Sequence, residues 1–61
     1  MLYRVRAYRS RSAGESGWVP SNELQTGDFR TAQHAAKGWA QDYGAAVIVN
    51  TETGLRTWFG K

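Results

Sequence analysis

The feature that most constrains the fold is one amphipathic helical pattern at residues 31–43. Apolar side chains recur there at helical spacing and form one face: Ala32, Ala35, Ala36, Trp39, Ala40 and Tyr43. Thr31 is the predicted N-cap, because its hydroxyl can accept a first-turn N–H, and Gly44 is the predicted C-cap. The alanines allow close approach to a sheet, and Trp39 and Tyr43 are expected to supply most of the buried area. One such helix can cover one face of one small sheet.

The segment before this helix begins with a clear strand. Residues 2–9 alternate, as half-buried strands do, with Tyr3, Val5 and Ala7 on one face and Arg4, Arg6 and Tyr8 on the other. Residues 10–28 are rich in serine and glycine, which favour turns. Within them Gly17-Trp18-Val19 is interpreted as an edge strand that ends at Pro20, because proline cannot donate to a ladder. The alternative is a functional loop with an exposed Trp18.

Two strands are predicted after the helix. Residues 45–50 are apolar on both faces, which indicates a central strand. Residues 50–54 form a turn in which Gly54 suits a positive φ, and residues 55–59 return as the last strand. The order β-(β)-α-β-β predicts an α+β fold, a three- or four-stranded sheet with one helix packed on one face. Residues 1–61 are expected to form a single small binding domain.

The inventory of reactive side chains argues against catalysis. The chain has no cysteine and a single histidine, His34, with no carboxylate one helical turn away to orient it. One histidine and five scattered acidic residues offer no zinc ligand cluster. Gly14 and Gly17 match neither the dinucleotide fingerprint nor the Walker pattern. The sequence therefore predicts that the protein is not an enzyme and has no catalytic residue, cofactor or metal site.

Positive charge is concentrated near the start of the chain. The net charge is +3, yet Arg4, Arg6, Arg9 and Arg11 lie within the first eleven residues, which contain no acidic residue. Such a basic segment favours anionic partners. The longest apolar run, Ala45–Val49, is far shorter than the roughly 20 residues of a membrane span. The absence of cysteine fits a reducing compartment, so we expect a cytoplasmic protein that does not bind membranes.

The strand alternation also predicts a binding face. If Leu55 and Phe59 face the helix, Arg56 and Trp58 lie on the opposite face of the sheet. The expected partner-binding residues are then Arg4, Arg6, Tyr8, Arg56 and Trp58. Arginine and aromatic rings are enriched at protein hot spots, which favours a regulator or inhibitor that binds a larger protein or complex. The alternative is a nucleic-acid-binding protein, DNA or RNA, that uses the same face.

Two simpler interpretations of this face remain open: a homodimer contact and an ordinary solvated surface. The outline of the chain is typical of very small bacterial and phage-encoded proteins, and no motif in it is specific to one family. The sequence thus ranks classes of partner without naming one.

Overall fold

The computed structural model describes residues 2–60 and has four strands and two helices over that range. In chain order they are β1 (Tyr3–Tyr8), α1 (Arg11–Glu15), β2 (Asn22–Thr26), α2 (Phe29–Tyr43), β3 (Ala45–Asn50) and β4 (Arg56–Gly60). The strands form one sheet in the order β2-β1-β3-β4, and each neighbouring pair is antiparallel. α2 packs on one face of this sheet. The predicted α+β fold is confirmed.

The core lies between α2 and the two central strands. Val5 of β1 pairs with Ile48 of β3, and these are the largest fully buried side chains. Ala32 and Ala36 of α2 are also fully buried against them, so the alanines do bring the helix close to the sheet. The predicted central position of β3 is confirmed.

The aromatic residues of α2 are less buried than the sequence suggests. Trp39 is half-buried at the margin of the core, and Tyr43 is exposed. The two rings meet edge-on, with centroids 6.4 Å apart, and the Tyr43 hydroxyl accepts a hydrogen bond from the Asn22 side-chain amide at 3.4 Å. The expectation that Tyr43 supplies core area is therefore wrong, because the ring lies outside the apolar layer and contacts its rim.

α2 begins two residues before its predicted start. Asp28 is the N-cap, and its carboxylate accepts hydrogen bonds from the Arg30 N–H at 3.3 Å and from the Thr31 hydroxyl at 2.7 Å. Thr31, the predicted N-cap, instead donates a hydrogen bond to the actual N-cap residue, Asp28. The predicted C-cap is confirmed: Gly44 has φ 125° and donates to the Ala40 carbonyl at 3.1 Å. A side chain at Gly44 would meet the Arg9 backbone carbonyl, so glycine is required there.

The segment between β1 and α2 differs from the prediction. Residues 17–19 are not a strand, because a short helix precedes them and its capping motif occupies Gly17 and Trp18. Ser10 caps α1 by accepting from the Ala13 N–H at 3.1 Å. At the other end Gly17 has φ 82°, and the Trp18 N–H donates back to the Ala13 carbonyl at 3.1 Å, which is a Schellman motif. The second strand forms later, and the alternative expectation of an exposed Trp18 is confirmed at 57% exposure.

The hairpin between β3 and β4 turns where the sequence predicts. The Gly54 N–H donates to the Asn50 carbonyl at 2.7 Å, and Gly54 has φ 78°. β4 starts at Arg56, one residue later than predicted, and Leu55 is 67% exposed. Phe59 packs against the core under α2, so the parity of the last strand is the predicted one.

Over residues 2–60, neither helix has the length and apolar character that crossing a membrane requires.

Replacing Ile48 with alanine tests the central packing. We expect a loss of about 2–5 kcal/mol in the free energy of unfolding, because the change leaves a cavity between α2 and the sheet. A domain of this size has a total stability of roughly 3–9 kcal/mol, so the variant should be close to unfolding. Denaturant unfolding followed by circular dichroism measures the loss. Val19→Ala, at an 89% exposed position, should change stability by no more than about 0.5 kcal/mol.

The Asp28 cap predicts a pH dependence of stability. The hydrogen bonds from the Thr31 hydroxyl, and then from the Arg30 N–H, lower the pKa of the Asp28 carboxyl below its ordinary 3.8. The folded state therefore gains stability above this ordinary value and loses it as the pH falls through the lowered pKa. Melting temperatures of wild type and Asp28→Asn should differ more at about pH 6 than at about pH 2. Glu52→Gln controls for the loss of one carboxylate, and a pH-independent difference would contradict the assignment.

Candidate functional site

The candidate site is the open face, the side of the sheet opposite α2. Residues paired across antiparallel strands point to the same side. One row joins Arg4, Val49 and Arg56 across three strands, and the next joins Arg6, Val47 and Trp58. Tyr8 follows Arg6 by two residues on β1, so it lies on this face as well. All five residues of the predicted binding set are thus brought to one side of the sheet.

α1 covers one end of the open face. Ala13 is buried against Tyr8 and Val47, with Trp58 and Val49 packed at the edge of this small cluster. Tyr8 is only 6% exposed. The expectation that Tyr8 is a surface contact is corrected: its ring forms the floor beneath α1. The open face is therefore divided into a covered end at Tyr8 and an uncovered part around Arg4 and Arg56.

Trp58 lies on the boundary between these two parts. Its ring centroid is 6.1 Å from that of Tyr8, with the planes tilted by 44°, and the Arg11 guanidinium carbon lies 5.6 Å from the Trp58 ring centroid. A cation over an aromatic face at this distance is attracted by the ring quadrupole. Gly14 completes the enclosure, because a side chain there would meet the tip of the Trp58 ring and would come within 2.9 Å of Tyr8. Part of the Trp58 ring is thus covered by α1.

Ion pairs compensate two of the arginines at this site. Arg6 Nε lies 2.7 Å from Glu23 Oε2 on β2, and Arg11 Nε lies 2.7 Å from Glu15 Oε1 one helical turn away. The hydrogen bond with Glu23 raises the pKa of Arg6 above its ordinary value. Exposed pairs of this kind are worth at most about 1 kcal/mol each. Their main effect here is to reduce the positive charge that Arg6 and Arg11 offer to a partner.

The uncompensated charge lies on the row of Arg4 and Arg56. Among residues 2–60, neither arginine forms an ion pair. They flank half-buried Val49, one strand on each side, which places their Cα atoms about 10 Å apart at the usual strand spacing. Arg4 is half-buried and Arg56 is exposed. The uncovered part thus has one half-buried valine between two arginine positions.

The described residues contain no cluster of metal-ligating groups. No set of three or more histidine, aspartate or glutamate side chains comes together within residues 2–60. His34 is exposed and lines a shallow depression on α2 with Asp28 and Thr31, away from the open face. The arrangement on the open face supplies positive charge and apolar contact area, which suits binding.

Comparisons with known proteins found no matching family model, no similar curated protein and no similar solved structure. Function is therefore inferred from the residues of the chain alone.

Sequence reasoning missed α1 and the residues that it brings to the site. Ala13 and Gly14 press on the aromatic pair, and Arg11 lies over Trp58. The signals were present: a serine suited to capping at position 10, and an Arg11–Glu15 pair at the i,i+4 spacing of a helix. Five residues are too few to show helical periodicity, which is why the pattern did not reveal them.

Gly14→Ala tests the packing of α1 on the open face. Alanine improves helix propensity by about 1 kcal/mol, but overpacking against two rings costs about 1–3 kcal/mol. We expect a net loss of stability and a changed near-ultraviolet circular dichroism signal from the aromatic pair. Gly38→Ala is the matched control, because open space surrounds that position on α2, and it should gain about 0.5–1 kcal/mol. Equal stabilisation by both changes would contradict the close packing of Gly14 against Trp58 and Tyr8.

Proposed function

We propose that this protein is a non-catalytic binding module that regulates or inhibits a larger protein by docking its open face on an acidic surface of that protein. The observation that carries the proposal is the row Arg4–Val49–Arg56, in which two arginines without an ion pair lie on either side of a half-buried valine. Arginine suits this role because its planar guanidinium binds carboxylates in a bidentate manner and remains charged at an interface. Val49 and the uncovered part of Trp58 supply the apolar centre.

Rigidity supports a role in recognition. Trp58 is held between Gly14, Tyr8 and the Arg11 guanidinium, and Arg6 is held by Glu23. Side chains that are ordered before binding lose less conformational entropy when the complex forms. Tryptophan and arginine are also the residue types that most often dominate the energy of protein interfaces. The ordered side chains at the enclosed end thus reduce the entropy cost of binding at the neighbouring Arg4 and Arg56.

Two features favour a protein partner over single-stranded nucleic acid. Bases stack on exposed aromatic rings, but α1 buries Tyr8 and encloses part of Trp58. Glu23 and Glu15 also add negative charge beside Arg6 and Arg11, and this charge repels phosphates. A carboxylate-bearing protein surface tolerates such mixed charge better, because its own basic residues can pair with the glutamates.

Duplex nucleic acid is the second candidate, and one observation favours it. Gln25 pairs with Arg4 in the register of β1 with β2, so the row that crosses all four strands carries polar or basic side chains on three of them, with Val49 on β3. The spacing of about 10 Å between Arg4 and Arg56 fits within the major groove of DNA, which is about 12 Å wide. Arginine and glutamine are both residue types that contact base edges there.

We further propose that the protein acts in the cytoplasm, since a chain without cysteine fits a reducing compartment.

The test compares two charge-matched double variants as affinity baits in native lysate. Arg4→Gln with Arg56→Gln removes the uncompensated charge of the open face, whereas Arg30→Gln with Lys37→Gln removes two charges from α2. We expect wild type and the α2 variant to retain the same protein, and the open-face variant to lose it. Equal retention by both variants would overturn the proposal.

A second arm separates protein from nucleic acid. Fluorescence anisotropy with a labelled DNA duplex and a labelled single strand measures direct binding at low salt. Binding through two phosphates would give a log–log salt slope of about −2, which the open-face variant should abolish. We expect no such binding. A duplex complex with this slope would replace the protein-partner proposal with the second candidate.

A further inference from the structure

We propose that two copies of this chain pair through β4, antiparallel and about a two-fold axis at Trp58, to form one continuous eight-stranded sheet. This inference concerns the edge of the sheet and is independent of what the open face binds. It depends on four features of the described residues: the direction of the backbone groups of β4, the partial protection of the opposite edge, the self-complementary sequence of β4, and the half-buried Phe59 on its helix side.

The backbone groups of Arg56 and Trp58 point away from the sheet. The Asn50 N–H donates to the Leu55 carbonyl at 2.9 Å, so Asn50 and Leu55 form a hydrogen-bonded pair. Hydrogen-bonded and non-bonded pairs alternate along an antiparallel ladder. Thr57 and Phe59 therefore bond to β3, and the N–H and C=O groups of Arg56 and Trp58 face outward. An edge of this kind is a template for another strand.

The opposite edge, β2, is partly protected. The Thr51 N–H donates to the Leu2 carbonyl at 3.2 Å, and the same alternation then turns the backbone groups of Glu23 and Gln25 outward. The Glu23 N–H, however, already donates to its neighbour Asn22 Oδ1 at 2.9 Å. The Asn22 side chain is in turn anchored by the Tyr43 hydroxyl. An incoming strand would have to displace this local bond, so β4 is the edge that favours pairing.

The sequence of β4 complements itself about Trp58. In this register Arg56 lies opposite Gly60 of the second copy, Thr57 lies opposite Phe59, and Trp58 lies opposite itself. Glycine leaves room for the arginine side chain, and no two like charges face each other. The Trp58 ring packs towards Tyr8 and Gly14, over the interior of the sheet, and leaves the edge clear for the second strand.

The helix side of β4 carries apolar surface that a second copy would cover. α2 packs over the central strands, and Phe59 is only half-buried beside it. Phe59 lines an open groove with Lys37, Ala40 and Gly44. The proposed pairing places Thr57 of the second copy in a non-bonded pair with Phe59, the arrangement in which opposing side chains approach most closely. In the proposed dimer, burial of Phe59 would increase the buried apolar area beyond that of the small core of one copy.

Sedimentation equilibrium of the full chain tests the proposal. We expect the average mass to rise from 6.8 kDa towards twice that value as the concentration increases from about 10 µM to about 1 mM. Thr57→Lys should weaken this association by at least about tenfold, because it places a charge against Phe59 of the second copy. Val19→Lys is the control, since it adds the same charge at an exposed loop residue before β2, the edge strand opposite β4. Circular dichroism checks that both variants are folded.

Amide hydrogen exchange identifies the edge without any substitution. The Trp58 N–H should become protected as the concentration rises, whereas the Gln25 N–H on β2 should not change. A chain that remains at 6.8 kDa up to about 1 mM would overturn the inference. So would a dimer that protects Gln25 instead of Trp58, or one that Val19→Lys weakens as much as Thr57→Lys. Because Thr57 lies on the face opposite Arg4 and Arg56, the Thr57→Lys monomer also tests partner binding separately.

Discussion

The pairing of β1 with β3 is the contact on which the rest of the structure depends. It places Val5 beside Ile48 on one side of the sheet, where α2 closes over them with alanines. On the other side the same pairing places Arg6 beside Val47 and Tyr8 beside Ala45. β2 and β4 then add to the two outer edges. A shift of one residue in this register would move the basic side chains into the core, so the hydrophobic pattern enforces it.

Elements with a long periodic pattern were predictable from the sequence, and those without one were not. β1, β3, the hairpin at Gly54 and most of α2 follow from alternation, helical spacing and glycine placement. β2 has a single apolar side chain, Leu24, directed to the core, so its pattern resembles a loop. α1 is too short to show periodicity. The start of α2 was misplaced because Asp28 and Thr31 are both suitable N-cap residues. In the structure Asp28 is the N-cap, and the Thr31 hydroxyl donates a hydrogen bond to its carboxylate.

The candidate site was likewise predictable from the sequence only in part. Strand parity predicted which residues share a face, because parity depends on the backbone alone. It carried no information on what lies above that face, so the burial of Tyr8 under α1 and the pairing of Arg6 with Glu23 were missed. Both result from segments outside the predicted strands. The outcome is a face with a fixed aromatic end and a charged end, in which Arg4 and Arg56 carry the uncompensated charge.

The hydrogen bond from the Glu23 N–H to Asn22 Oδ1 has a consequence for assembly. A sheet with two open edges can add strands at both and grow into a fibre without limit. Here the Asn22 side-chain oxygen occupies one outward donor of β2, which makes β4 the more available of the two edges. Under the proposed pairing, a second copy that binds through its own β4 covers that edge in both copies, so the assembly closes as a dimer. The Asn22 amide thereby favours addition at one edge of the sheet over growth at both edges.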